Sequence, residues 1–344
     1  MPERGTFPAA PPQTENKMLD QKKQNTLITV LTSVALVALI AAYFSPIWWV
    51  SLTAPNYPKD AFPDGIRIHF HFNGVFNGCS AVGKGTQMGN ETLQADVGED
   101  TPRYNPILEK GKDVNKEAKS LDCVHEMNTI NHYVGMYPID TGSPVELRLS
   151  KFIFGWFAVM LLGFMATERK TQLKILGAGF TAVAVWMVVD QIVMGQLDAF
   201  AAHYYHEAST FFNQPAVLDQ WKANLILATK VSMAGIVVAM AIIMLGVWKI
   251  RGFSLLLALV PAMMPVFFVI DYAGWLWFFG HNMHPWGAFT VKPFMPTVFG
   301  EGKVAQFSTF SYPYWGYGLL LIAFGCLMMA LLLRRRQMRT LPAQ

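Results

Sequence analysis

The eight histidines of this chain fall in four pairs: His69 and His71, His125 and His132, His203 and His206, His281 and His284. Imidazole is a frequent metal ligand, and its charge changes nearest neutral pH, so such pairs suit metal binding or proton transfer. The densest group runs from Cys123 to Met136 and holds one Cys, two His, two Met and one Glu. Thiolate, imidazole and thioether together suit copper, mainly Cu(I), better than the oxygen-preferring metals. The sequence has no C-x-x-C motif of a zinc site. His125 and Met136 are out of helical register, so one site would need the chain to turn at Gly135 and bring the run against His69 and His71. The candidate metal ligands are therefore His69, His71, His125, Met127, His132 and Met136. Chance pairing of ordinary surface histidines would leave all of them idle.

The elements that must position these residues are set by composition. The chain has 344 residues, of which 53% are hydrophobic and only 15% charged, against about 25% charged in a soluble domain. Several apolar stretches reach about 20 residues, the length that crosses a hydrocarbon core. Six spans are expected, at about Leu27–Trp49, Leu149–Ala166, Leu173–Met194, Leu225–Trp248, Phe253–Phe279 and Tyr314–Leu333. Cations cluster at one parity of connection: Lys17, Lys22 and Lys23; Arg169, Lys170 and Lys174; Lys249 and Arg251; Arg334, Arg335, Arg336 and Arg339. The short loops of the other parity hold only Lys222, Lys292 and Lys303. By the positive-inside rule both termini are cytoplasmic and every histidine lies outside. The expected protein is a multi-pass protein of the bacterial cytoplasmic membrane. Its net charge of +4 is accounted for by these flanks and calls for no nucleic acid.

The predicted fold is an all-α membrane protein: six transmembrane helices with a small mixed α/β periplasmic domain between helices 1 and 2. Residues 1–24 read as a disordered cytoplasmic tail, 25–50 as the first helix and 51–148 as the periplasmic domain. Residues 149–334 read as a five-helix bundle with periplasmic loops at 195–223 and 280–313, and 335–344 as a basic cytoplasmic tail. Within the periplasmic domain, Ile66–Phe72 alternates like a strand, which puts His69 and His71 on one face. Asn73-Gly74 and Asn77-Gly78 are turn signals, and about Gly83–Lys119 reads as a mobile insertion. Cys123, Met127 and Ile130 form a helical stripe that Gly135 and Pro138 break. Cys79 and Cys123 either form a disulfide, as paired cysteines in an oxidising compartment commonly do, or leave a thiolate for metal. Cys326, inside a span, reads as a small buried apolar residue.

Two further groups carry polar chemistry. In the second outer loop, His203, His206 and Glu207 share one face of a helix. This face could hold metal, relay protons or lie on the membrane surface. The third outer loop places His281 and His284 around Met283. These five residues are secondary metal candidates. Three ionisable groups lie within the spans, where charge is costly: Asp190, Lys230 and Asp271. Lys230 is expected to pair with Asp190 or Asp271. Bis-histidine haem is disfavoured because no histidine lies deep in a span. The chain also lacks a phosphate-binding glycine loop, a dinucleotide motif and a nucleophile elbow.

The runs HFHFNGVFNGC, CVHEMNTINHYVGMYPI and VKPFMPTVFGEGKVAQFSTFSYPYWGYG resemble a group of multi-span bacterial membrane proteins, the NosB type, encoded in gene clusters of second-clade nitrous oxide reductase. The resemblance implies an accessory role in maturation of, or electron supply to, a copper enzyme, and assigns no residue. Three readings follow. The first is a membrane accessory protein that handles copper at a periplasmic His/Met site for a partner metalloenzyme. The second is a redox subunit with a metal, haem or quinol site formed by His203, His206, Glu207, His281 and His284 above Asp190 and Asp271. The third is a structural subunit that docks a periplasmic partner.

Overall fold

The computed structural model describes residues 12–340 apart from 58, 60, 61, 80–121, 251, 289, 290 and 305. Helix α1 (Pro12–Tyr43) leads into strands β1 (Trp48–Thr53), β2 (Ile66–His71) and β3 (Gly74–Asn77). Helices α2 (Cys123–Tyr133), α3 (Pro144–Met165), α4 (Arg169–Val188), α5 (Gln196–Phe211) and α6 (Pro215–Lys249) follow. The chain closes with α7 (Leu256–Ala262), α8 (Met264–His281), β4 (Gly300–Val304), β5 (Phe307–Pro313) and α9 (Trp315–Thr340).

Five of these helices are long and apolar enough to cross a bilayer: α1 from Gln21, α3, α4 with a π-helical extension to Val193, α6 and α9. The pair α7–α8, bent by 56°, would supply a sixth span. The bend has a local cause. Pro265 has no N–H to give to the carbonyl of Pro261 one turn earlier, so the hydrogen-bond ladder breaks there. Large apolar side chains such as Val37, Leu227, Val231, Val238 and Leu332 lie more than half exposed, which only a hydrocarbon solvent tolerates in such numbers. The chain is a multi-pass membrane protein. Small residues let α1 and α9 pack closely: Ala35, Ala38 and Ala42 on one, Ala323 and Ala330 on the other, all buried. At the end of the bundle away from the sheet, Arg169 donates to the Val247 and Trp248 carbonyls, and Arg334 donates to those of Phe164 and Met165. Each guanidinium thus satisfies orphan carbonyls at the C-terminus of a neighbouring helix.

The strands form one antiparallel sheet in the order β3-β2-β1-β5-β4. This corrects two expectations. The first span ends at Tyr43, and Trp48 and Trp49, expected as its last residues, open the central strand, Trp48–Thr53. Pro46 biases Ser45 away from helix, and the aromatic and β-branched run that follows suits a strand. The sheet domain is also not confined to the segment between the first two spans. The 280–313 loop contributes β4 and β5, with Trp48 opposite both Phe70 and Pro313. Two terminal expectations change as well. Residues 12–24 are helical, and residues 335–340 continue α9. Residues 1–11 and the insertion at 83–119 lie outside the described residues.

The sheet rests on the bundle through one face. Ile66, Ile68 and Phe70 of β2 and Trp48 and Leu52 of β1 join Cys123, Met127 and Ile130 of α2 and Tyr272 and Leu276 of α8 in one buried cluster. Trp48 lies at its centre, ringed by Phe268, Tyr272 and Tyr317, with its indole N–H donated to the Ser311 hydroxyl at 2.8 Å. A disulfide joins Cys79, just after β3, to Cys123 at the start of α2. Gly135, in the left-handed region at φ +83°, ends this unit. A Cβ there would strike the His284 carbonyl oxygen, and the His284 N–H bonds back to the Gly135 carbonyl at 2.7 Å.

Candidate functional site

A cavity of about 290 Å³ lies where the sheet meets the bundle. Its floor and walls are aromatic, from Phe70, Phe154, Phe157, Phe268, Tyr272 and Phe279. Phe267, at 46% exposure, also lines it, so the cavity reaches the lipid-facing surface beside the bend of α7–α8. Its polar groups are few. Glu146 sits in the first turn of α3, and Asp271 and Trp275 stand one turn apart on α8. The Trp275 indole N–H donates to a Glu146 carboxyl oxygen at 2.8 Å, and the two carboxyls lie within hydrogen-bonding reach of each other. His71 lines the same cavity with Nδ1 3.3 Å from the Phe44 carbonyl.

The sequence pairs Lys230 with Asp190 or Asp271 and gives Glu146 no role. A signal existed. Ser143-Pro-Val-Glu146 has the spacing of a capping box, yet Ser143 makes no capping bond, and Glu146 turns to α8 instead. Asp190 corrects the other half of that expectation. It pairs with Lys151 at 2.8 Å and Arg148 at 4.0 Å and accepts from the Gln191 side-chain amide. Lys230 lies exposed on α6, and among the described residues the ion pairs of Asp190 are with Lys151 and Arg148, not with it. The pairing follows from helix order. Within the bundle α3 packs against α4, which brings the Arg148 and Lys151 side to Asp190.

The structure does not assemble the first ligand set. On β2 the burial alternates strictly, with Ile66, Ile68 and Phe70 facing α2 and Arg67, His69 and His71 on the opposite face. Strand geometry therefore holds His69 and His71 away from His125 and His132. The two methionines part as well. Met127 belongs to the sheet cluster and Met136 to the bundle core, and both are buried as packing groups. With Cys79 and Cys123 bonded to each other, no thiolate remains there. His69 stacks on Tyr314 at 5.1 Å. Its pKa is lowered to about 4 by burial, then by the Arg67 charge and by His71. Burial lowers that of His71 too.

The secondary set also divides. His203 and His206 are exposed on α5, and Glu207 is half-exposed. His203 and Glu207 act together only through their fields on Asp140, whose carboxyl is pushed up to about 6 by burial first, then by Glu207, against the pull of His203. His281 stacks on Trp277, with Nδ1 2.8 Å from the Trp277 carbonyl. His284 is buried and stacks on Phe212 at 4.2 Å, while His132 packs on the same ring at 5.5 Å. Burial lowers the pKa of both, leaving neutral imidazoles. Nδ1 of His132 and Nε2 of His284 are buried without hydrogen-bond partners. Among the described residues, no three His, Cys, Asp or Glu side chains come together in a metal-binding arrangement. No family model matches the chain, and neither a curated protein nor a solved structure is significantly similar to it.

Proposed function

We propose that this chain is an accessory subunit of the bacterial cytoplasmic membrane that takes a lipid-soluble small molecule from the bilayer into the cavity at its sheet end, in the service of a periplasmic metalloenzyme. The cavity carries this reading: an aromatic chamber open toward lipid, with a single polar corner at Glu146, Asp271 and Trp275. Ligand sites characteristically combine such apolar walls with a few convergent polar groups. Two features support the sheet end as periplasmic. The Cys79–Cys123 disulfide belongs there, and disulfides persist in oxidising compartments. The clusters of Lys and Arg lie at the other end. The metalloenzyme partner rests on the NosB-type resemblance.

The reading is tested by extracting and identifying lipophilic compounds retained by the protein in nanodiscs, beside a Leu147→Trp variant that fills the cavity. The expected result is one compound enriched over bulk lipid in the native protein and depleted by about tenfold or more in the variant. Equal retention by the two proteins, at matched thermal stability, would sink it.

Copper handling stands as a second reading, on one observation. The partnerless buried nitrogens of His132 and His284 border the same Phe212 ring, and neutral imidazole is a good Cu(I) ligand; Nδ1 of His284 accepts from the Trp286 N–H at 3.1 Å, so binding through Nε2 requires the other tautomer and the loss of that bond. Elemental analysis of protein purified without chelators and reconstituted with Cu(I) should then find stoichiometric copper that a His132→Ala/His284→Ala variant loses. Copper absent from the native protein, or unchanged in the variant, would remove this reading.

A further inference from the structure

The chemistry of the ligand follows from which hydrogen-bonding groups in the cavity are already engaged. Around the Glu146–Asp271 corner most donors are spent. The Trp275 indole gives its proton to Glu146, and the Ser150 hydroxyl gives its proton to the Leu147 carbonyl at 3.0 Å. Ser311 gives its only proton to the Val298 carbonyl at 2.8 Å, so at the 3.3 Å contact with Tyr272 the tyrosine is the donor. The Phe44 carbonyl can only accept, so Nδ1 of His71 is protonated toward it, which leaves Nε2 an acceptor in the neutral ring.

What remains is acceptor capacity: the free lone pairs of the Glu146 and Asp271 carboxyls, and Nε2 of His71. Thr141 also lines the cavity. It is 5% exposed, and its hydroxyl is buried without a partner, so like the Ser143 hydroxyl, which also lines the cavity, it can give or accept a hydrogen bond. A head that meets the two carboxyls must donate to them, because an acceptor there would leave buried lone pairs facing each other, while Thr141 and Ser143 can serve either kind of group. The walls add shape. Phe268 and Tyr272 stack on each other at 6.0 Å, 5° apart in plane, and with Phe154 and Phe70 make an aromatic wall, against which a ring packs better than a branched aliphatic head. At the other end, Phe267 opens the cavity to hydrocarbon.

We infer that the occupant is a membrane-resident molecule whose head is a ring bearing hydroxyl donors, a hydroquinone or related phenol, received by the Glu146–Asp271 pair, with an apolar tail that runs past Phe267 into the bilayer. This rests on the cavity reading above and names its ligand class. Glu146 and Asp271 are the recognition residues, and Trp275 is a positioning residue that fixes Glu146. A site built to accept from hydroxyls rejects an isostere without them far more strongly than an apolar pocket distinguishes one methylene.

The test is equilibrium binding to the full-length protein in nanodiscs. Two probes are compared: a hydroquinone with a short isoprenoid tail, and its dimethyl ether, which keeps the shape and removes both donors. In the native protein the hydroquinone should bind about tenfold tighter or more, and in Glu146→Gln and Asp271→Asn variants the preference should fall below about threefold. Ether binding that is unchanged in those variants reports an intact cavity. If the native protein binds the ether as tightly as the hydroquinone, and Leu147→Trp abolishes both, the donor-head inference is overturned while the cavity reading survives. If neither probe binds the native protein, both fall.

Discussion

Replacing Trp48 with alanine should destabilise the protein by about 3–5 kcal/mol, the range for truncating a large buried aromatic, and detach the sheet from the bundle. Trp48 is 3% exposed and stands between β1 and the α8–α9 pair, touching Phe268, Tyr272 and Tyr317. Its removal opens a cavity where the sheet meets the membrane helices. It also takes away the indole N–H donated to Ser311, in a corner where Ser311 already accepts from Tyr272. The neighbouring Trp49 offers the control. It lies on the opposite face, against Tyr312 and under the Arg67 guanidinium at 4.2 Å. A half-buried cation–π contact of that kind contributes about 0.5–2 kcal/mol, so Trp49→Ala should cost less. Thermal unfolding of both variants in nanodiscs measures the difference. Equal losses would mean that the sheet is not anchored through its β1 tryptophan face.

The second large effect concerns the disulfide. Cys79 and Cys123 are 44 residues apart, and closing a loop of that length stabilises by about 4 kcal/mol in the chain-entropy account. The bond ties the end of β3 to the start of α2, beside the buried cluster of Ile66, Ile68, Phe70, Met127 and Ile130. A Cys79→Ser/Cys123→Ser variant should therefore lose about 2–4 kcal/mol, read by thermal unfolding in nanodiscs. Native protein treated with reductant should reproduce the variant, while reductant should leave the variant itself unchanged. A variant that unfolds with the native protein would show that this segment is held by packing alone.

Much of the membrane architecture was legible because it is additive. Each span is a local sum of apolar side chains, and each cluster of cations sits beside the span it flanks. The stripe of Cys123, Met127 and Ile130 and the alternation of Ile66–Phe72 were equally local, and both elements form. The misreadings have one character. Trp48–Thr53 is apolar enough to extend a span, and hydropathy does not distinguish the end of a helix from a buried strand. One of its two partner strands, at 308–313, lies more than 250 positions away in the chain. The alternation of β2 correctly put His69 and His71 on one face. Nothing local said that α2 would cover the other.

The candidate site divides the same way. The sequence by itself determined that polar groups at this end of the spans would be few and costly, and it marked Asp271 and Asp190 among them. Tertiary structure alone decided that Asp190 meets Lys151, that Glu146 meets Asp271 and Trp275, and that the histidine pairs stay apart. The physical reason is that burying an apolar residue is favourable whichever neighbours surround it, so composition and periodicity carry that information. A hydrogen bond or ion pair depends on two groups meeting within about 3 Å, and only the packing of helices and strands distant in sequence sets which two groups meet.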